Sequence, residues 1–378
     1  MKRVMIIGPA HPLRGGLATF NHRLAKAFQE IGWEAEIVSF SLQYPSFLFP
    51  GTTQYADDPA PENLPIHSWI NSIHPFNWIR VGNKIKKSKP DLILVRYWLP
   101  FMGPALGTIL RRVRKNRHTR ILCLADNVIP HEKRPGDTIF TRYFVKSCDG
   151  FLTMSAKVKQ DLDSFRTHQP VQLATHPLYD NFGAPLEREA ARTKLGLDPS
   201  EKIILFFGFI RRYKGLDLLL EAMADPRIRA GGIRLLIAGE FYEDRTAYDQ
   251  LIEQLKIQDL LILRTDFIPD REVRAYVCAA DFVIQPYRNA TQSGVTPLAY
   301  HFEKPMLVTR VGGLPDLVPD GKCGLVCEPE PAAIAKGILD LYAQGTEHFL
   351  PNIKTLKQEL GWQRFVEKLI DLSNGIQK

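Results

Sequence analysis

The chain reads as an α/β protein built from two doubly wound domains, and three observations lead there. Strand-like apolar runs alternate with helix-like periodicities in both halves, which is the pattern of βαβ units and parallel sheets. Several runs are nearly continuous rather than alternating, as strands buried on both faces of a parallel sheet must be: Val4–Gly8, Leu92–Arg96, Ile121–Ala125 and Lys202–Phe207. At 378 residues the chain is too long for one typical core. The expected division is 1–178, 179–357 and a terminal segment 358–378, with a linker at Thr175–Gly183.

Composition narrows the class. Apolar residues make up 45% and charged residues 24%, as in a soluble globular protein. The sequence has no run of eighteen apolar residues, so no membrane-spanning helix is expected. The apolar start of MKRVMIIGPAHP is too short for a signal-peptide core and suits a buried first strand. The cysteines Cys123, Cys148, Cys278, Cys323 and Cys327 are odd in number and lie mostly in or beside apolar strands. That favours reduced thiols and a cytoplasmic protein. No metal site is expected from them. The net charge of +8 is concentrated in NKIKKSK (Asn83–Lys89) and RRVRKNRHTR (Arg111–Arg120). Such patches attract anions, and the second, joined to Ile109, Leu110 and Val113, resembles a helix lying on a membrane surface. A solvated helix face is the plainer reading of either run. No aromatic residues interleave these charges as in an RNA-binding motif, so nucleic acid is not an expected partner.

In chain order, strand Val4–Gly8 runs through Gly15 and Gly16 into a helix whose apolar positions are Phe20, Leu24, Ala27, Phe28 and Ile31, ended by Gly32. The turn is not a clean G-x-G-x-x-G, so dinucleotide binding is disfavoured. From Leu42 to Pro75 the residues lack periodicity and read as long loops. RYWLPFMGP, after strand Leu92–Arg96, reads as core or as an acceptor pocket, core being the plainer reading. Strand Ile121–Ala125 ends at DNVIPHE, Asp126–Glu132, a polar cluster where catalytic groups of α/β sheets belong. Asp126 and His131 there are suited to orienting a hydroxyl, or to turn capping and a structural role respectively. Phe151–Met154 is a strand, and Ser155 caps the helix after it.

In the second half, strand Lys202–Phe207 runs through GFIRRYKG (Gly208–Gly215) into helix Leu216–Met223. The cations Arg211 and Lys214 fall at the strand's C-terminal end, where ligands of such sheets bind. Ile233–Ala238 ends at Gly239-Glu240, and Asp266–Ile268 precedes a helix starting near Asp270. Strand Asp281–Gln285 leads through Thr291, Gln292, Ser293 and Gly294 into an apolar helix with Val295, Leu298, Ala299 and Phe302. Strand Pro305–Thr309 is closed by Gly312 and Gly313. A small, polar helix start leaves N–H groups facing outward and suits phosphate.

Gly208, Ile210, Lys214 and Gly215 follow G-R-L-x-x-x-K-G. Ala299, Pro305, Gly312, Gly313, Pro315 and Asp316 follow a later A-M-A-x-G-x-P-V and G-G-x-x-E. In these motifs the chain resembles the retaining nucleotide-sugar glycosyltransferases of the GT-B fold, family 4, and the resemblance covers nearly its whole length. It departs at Phe209, where the family has a phosphate-binding Arg, a role Arg211 is then expected to take. It departs again at Ala290 and Leu298, where two glutamates would hold the donor sugar and the ribose. The QSGV of Gln292–Val295 fits one branch of the family.

The resemblance implies two Rossmann-like domains facing across a cleft, with a C-terminal helix (Trp362–Leu372) crossing back to the first. It implies transfer of a hexose from a UDP- or GDP-sugar to a hydroxyl of a glycan or lipid-linked glycan, with retention. The donor would meet Gly15, Gly16, Gly208, Glu240, Ile268, Gln292, Ser293, Gly294, Val295 and Thr296. Lys214 and Arg211 would stabilise the departing diphosphate, and Asp126 and His131 would serve the acceptor. No metal or other cofactor is expected, because no Asp-x-Asp stands at a strand end. A peripheral position at the inner face of a membrane, held by Lys84–Lys89 and Arg111–Arg120, would suit such an enzyme. A nucleotide-sugar epimerase on the same fold and a non-catalytic nucleotide-sugar-binding protein are the alternatives.

Overall fold

The computed structural model describes residues 1–45, 53–56, 59–130, 134–165, 168–290 and 293–376. Its described residues divide into two compact units. One runs to Pro177 and resumes at Gly361; the other is Leu178–Leu360.

The first unit holds β1 (Arg3–Ile7), α1 (Gly16–Glu30), β2 (Glu34–Leu42), β3 (Ile66–Asn71), α2 (Pro75–Ser88), β4 (Leu92–Tyr97), α3 (Gly103–Arg114), β5 (Arg120–Ala125), α4 (Asp137–Val145), β6 (Gly150–Thr153), α5 (Ala156–Asp163) and β7 (Val171–Leu173). All strand pairs are parallel, in the order β3-β2-β1-β4-β5-β6-β7. β4 is buried along its whole length, which is why its sequence LILVRY shows no alternation. Phe20, Leu24 and Phe28 fall on one side of α1 and are fully buried.

The second unit holds α6 (Arg188–Leu195), β8 (Lys202–Phe207), α7 (Leu216–Met223), α8 (Pro226–Ala230), β9 (Ile233–Ala238), α9 (Thr246–Leu255), β10 (Leu261–Arg264), α10 (Asp270–Ala279), β11 (Phe282–Gln285), α11 (Val295–His301), β12 (Met306–Thr309), α12 (Leu314–Leu317), β13 (Gly324–Cys327), α13 (Pro331–Gln344) and α14 (Leu350–Glu359). Its parallel sheet has the order β10-β9-β8-β11-β12-β13. α15 (Trp362–Gly375) returns to the first unit, where Trp362 and Phe365 pack on Phe20 of α1. Each strand order reverses once, between β1 and β4 and between β8 and β11. The C-terminal ends of those strands are where open α/β sheets bind ligands.

Three expectations need correction. The stretch from Leu42 to Pro75 is not all loop, because β3 pairs with β2 at the sheet edge. An edge strand buries little, and of IHSWIN only Ile70 is fully covered, so no apolar run announced it. α3 is not a free amphipathic helix, because Ile109, Leu110 and Val113 are wholly buried in the core of the first unit. Ser155 sits at the N-cap of α5, but its side chain makes no capping bond.

The cysteines are all unpaired thiols; four are buried and Cys327 is half-buried. Among the described residues no helix is long and apolar enough to cross a membrane, and no group of metal-ligating side chains occurs.

Candidate functional site

In the second unit the loop after β8 is held by glycine. Gly208 lies at φ +92° and its N–H donates to the Ala238 carbonyl. Gly215 lies at φ +67°, and a Cβ there would stand 2.0 Å from the Pro286 carbonyl oxygen. The turn Arg212–Lys214 is therefore pressed against the end of β11, and the Lys214 side chain folds inward. Lys214 is only 8% exposed. Its ammonium lies 3.2 Å from where a Gly208 Cβ would be, a point also 4.0 Å from Val295 Cγ2, and 5.9 Å from the centre of the Tyr287 ring.

Among the described residues no carboxylate pairs with Lys214. Burial, and secondarily the charge of Arg211, lower its pKa from the ordinary lysine value to about 7. A buried cation with no counter-charge among the described residues, at a sheet's switch point, is suited to an anion.

The other predicted donor residues of this unit divide. Ser293 is buried; its hydroxyl lies 3.4 Å from the Tyr287 hydroxyl and accepts from the Val295 N–H at 3.2 Å. That N–H is thus engaged inside the turn. Gly294 lies against the Tyr179 ring. Thr296 is turned into the core, where its hydroxyl accepts from the Gln285 side chain at 3.0 Å. Glu240 and Ile268 are buried at the ends of β9 and beyond β10, and the Glu240 carbonyl accepts from Ile210. Arg211 is exposed, its guanidinium 5.1 Å from the centre of the Tyr242 ring. Phe209 stacks on Tyr242 at 4.1 Å and on Phe267 at 6.2 Å. An aromatic stack therefore occupies the place where the family has its Arg. Ala290 and Leu298 are both buried. Gln292 lies outside the described residues.

In the first unit Gly15 is the N-cap of α1 at φ +103°, its carbonyl accepting from Ala18 and Thr19, and Gly16 begins the helix. Asp126, directly after β5, is paired. Its carboxylate grips Arg96 of β4 through two bonds, one from Nε and one from Nη2 to Oδ1 at 2.6 Å. Both residues are buried, and the Arg96 guanidinium lies 4.1 Å from the centre of the Phe20 ring. Arg96 Nη1 is buried and makes no hydrogen bond among the described residues. The same holds for Asn21 Oδ1, Asn127 Oδ1 and Thr153 Oγ1. Asn127 and Thr153 fall at the ends of β5 and β6, and Asn21 and Arg96 both crowd Gly8 at the end of β1. His176 is held neutral by burial and then by the charge of Arg96, its pKa falling to about 3 against an opposing bond to the Pro177 carbonyl. His131 and Glu132 lie outside the described residues.

Arg96 was missed by sequence reasoning, yet a signal existed: a lone cation within a fully apolar strand demands a partner. Asp126 ends the neighbouring strand.

Residues 14–174 match the family described as Glycosyltransferase Family 4, and residues 201–344 the one described as Glycosyl transferases group 1. A D-inositol 3-phosphate glycosyltransferase of Corynebacterium urealyticum is 33% identical over 308 residues, covering 76% of this chain and 72% of that protein. Over three other curated relatives of the same description the chain spans less, 32%, 54% and 41% of their length. Among solved structures, sucrose-phosphate synthase from Thermosynechococcus elongatus superposes with a TM-score of 0.74 at 15% identity, covering 99% of this chain and 98% of that one. An Anabaena protein in complex with UDP and glucose superposes with a TM-score of 0.72 at 14% identity, covering 98% of this chain and 100% of that one. These structures share the two-domain GT-B fold with the chain described here. With two family matches that together take in both units, and a relative matched over most of its length, the chain belongs to glycosyltransferase family 4, among the group 1 glycosyl transferases.

Proposed function

We propose that this chain transfers a hexose from a nucleoside diphosphate sugar to an acceptor hydroxyl, with retention of configuration. The observation that carries the reading is Lys214, a buried ammonium with no carboxylate partner among the described residues, set at the switch point of the second sheet. Family membership supplies the reaction class, and the UDP-bound Anabaena relative makes UDP the first nucleotide to test.

As the bond from sugar C1 to the β-phosphate oxygen breaks, negative charge grows on that oxygen. Lys214, aided by Arg211, is suited to stabilise it, and such preorganised charge contributes about 2.7–4 kcal/mol to a transition state. The acceptor oxygen bonds to C1 as the bond to the β-phosphate oxygen breaks, and its proton passes to the departing diphosphate. Asp126, fixed by Arg96, is a candidate to orient that hydroxyl, with His131 the second candidate. The reading needs no metal, so turnover is expected to persist in EDTA; strict dependence on added Mn²⁺ or Mg²⁺ would overturn that part. The acceptor we favour is a glycan or lipid-linked glycan, used at the cytoplasmic face of a membrane.

A non-catalytic nucleotide-sugar-binding protein is the second reading. It is favoured by buried Ala290 and Leu298, which stand where the resemblance puts two ligand-binding glutamates.

Thermal shifts against UDP, GDP, ADP, CMP and NAD⁺ test the donor class, since a ligand of the native state must raise the melting point. One nucleoside diphosphate is expected to act, and to lose its effect in Lys214→Met. A shift with NAD⁺ alone would refute the proposal. Donor binding without turnover over a panel of acceptors would support the second reading.

A further inference from the structure

α4 carries an outward stripe. Ile139, Arg142, Tyr143 and, one residue past the helix, Lys146 are spaced i, i+3, i+4 and i+7 and so share one face. Ile139 is 69% exposed, and Phe140 and Tyr143 are exposed beside it. Single apolar residues at a surface need no explanation, but three on one nine-residue helix do. With Arg111 of α3, the stripe lines an open cavity of about 540 Å³ that holds three cations and no carboxylate.

The face is held in shape. A Cβ on Gly103 would stand 2.5 Å from the Phe140 carbonyl oxygen, and one on Gly107 would stand 2.7 Å from the Tyr143 ring, so α4 lies tight on α3. Arg111 stacks over the Tyr143 ring at 4.2 Å and donates to the Tyr143 carbonyl at 2.9 Å. The Tyr143 hydroxyl meets Thr108 Oγ1 at 3.0 Å. The aromatic ring is thereby fixed at the surface instead of turning inward.

The surroundings are basic. α3 adds Arg112, while its Arg114 is paired with Asp149 at 3.4 Å, and α2, packed against α3, adds Lys84, Lys86 and Lys87. From Ser72 to Ala125 the sequence holds one carboxylate, Asp91, which faces His118. On α4 itself Asp137 lies at the first turn and accepts from the Arg134 N–H.

We propose that the outer face of α4, flanked by α3, docks the first unit onto an anionic phospholipid bilayer. Arg111, Arg142 and Lys146 would meet headgroup phosphates, while Ile139 and Phe140 enter the boundary between headgroups and acyl chains. The exposed aliphatic side chain among the cations favours a bilayer over nucleic acid, which offers nothing for Ile139 to enter. This rests on the membrane-side location in the proposed function and deepens it. The apolar part of the surface comes from α4, since the apolar residues of α3 are spent in the core.

The test is co-sedimentation of the full chain with phosphatidylcholine vesicles, with and without an anionic phospholipid, at low salt. Wild type is expected to pellet only with anionic vesicles, and less as salt rises. Each surface cation lost should weaken binding about five-fold, so Arg142→Glu with Lys146→Glu should weaken it by at least about 25-fold. Ile139→Glu alone should weaken it too, and Lys84→Glu with Lys87→Glu, an equal change of net charge on α2, should weaken it less. Failure of wild type to pellet, equal loss in the two double variants, or full binding by Ile139→Glu would each overturn the proposal. Nucleotide thermal shifts measured on the same samples keep the readings apart. Lost vesicle binding with a retained shift strikes the docking surface alone, and an absent shift in wild type strikes the donor reading.

Discussion

If Lys214 receives the diphosphate, nucleotide affinity must depend on pH in a direction the geometry fixes. Burial and Arg211 depress the Lys214 pKa to about 7 in the free protein. A diphosphate beside the ammonium supplies the missing counter-charge and raises that pKa toward the ordinary lysine value, about 10.4. Below pH 7 the group is charged with or without ligand, and affinity is at its plateau. Between about pH 7 and 10 the free protein has lost the proton that the complex retains, so binding takes one up and affinity falls tenfold per unit. From the low-pH plateau to pH 9 the fall is about 100-fold, or about 2.7 kcal/mol. Calorimetry with UDP-glucose measures this directly, because its phosphate diesters do not titrate there, whereas the terminal phosphate of UDP has a pKa of about 6. Two buffers of different ionisation enthalpy then count the proton taken up. Lys214→Met is expected to bind weakly and with no slope over the same range. A flat wild-type profile, or the same slope in Lys214→Met, would refute the assignment.

Two stability predictions follow from the same structure. Asp126→Leu leaves the Arg96 guanidinium buried without its partner and should cost about 3–5 kcal/mol, whereas Arg96→Met with Asp126→Leu should recover much of that loss; denaturant unfolding of the two variants would show it, and additive losses would deny the coupling. Gly312 lies at φ +52° with its would-be Cβ 1.5 Å from the Ala290 carbonyl oxygen, while Gly232 lies at φ +64° with nothing within 4 Å. Gly232→Ala should therefore cost about 1 kcal/mol, and Gly312→Ala clearly more, read as a larger drop in melting temperature; equal drops would contradict the described packing.

Most of the framework was legible because parallel strands leave an unmistakable trace. VMII, LILV and IILF are buried on both faces and can be nothing but apolar. The loop GFIRRYKG was legible because its glycines serve the backbone: Gly215 is required by the Pro286 carbonyl, and Lys214 follows from it. Arg96 apart, what escaped detection had no local signature. β3 sits at an edge and buries one residue fully, so IHSWIN does not look like a strand. The direction in which Thr296 points depends on Gln285, eleven residues away. The basic run of Arg111–Arg120 suggested an amphipathic helix on a membrane, because sequence cannot tell an apolar face that waits for lipid from one already packed against a sheet. α4 reads as an ordinary helix until neighbouring Gly103 and Gly107 are seen to fix which side faces out.

The return of α15 to the first unit has a consequence for how the molecule is made. α1 leaves the ribosome well before α15, and its Phe20 awaits Trp362 and Phe365. The whole of Leu178–Leu360 is synthesised in between, and it forms a sequence-continuous unit able to close first. The first unit is thus begun before the second and completed after it, with an aromatic face open to solvent, and to chaperones, for the interval. A chain stopped after Leu360 would keep that face open permanently, so its nascent-chain protease resistance should appear in Leu178–Leu360 before it appears in the unit that was translated first.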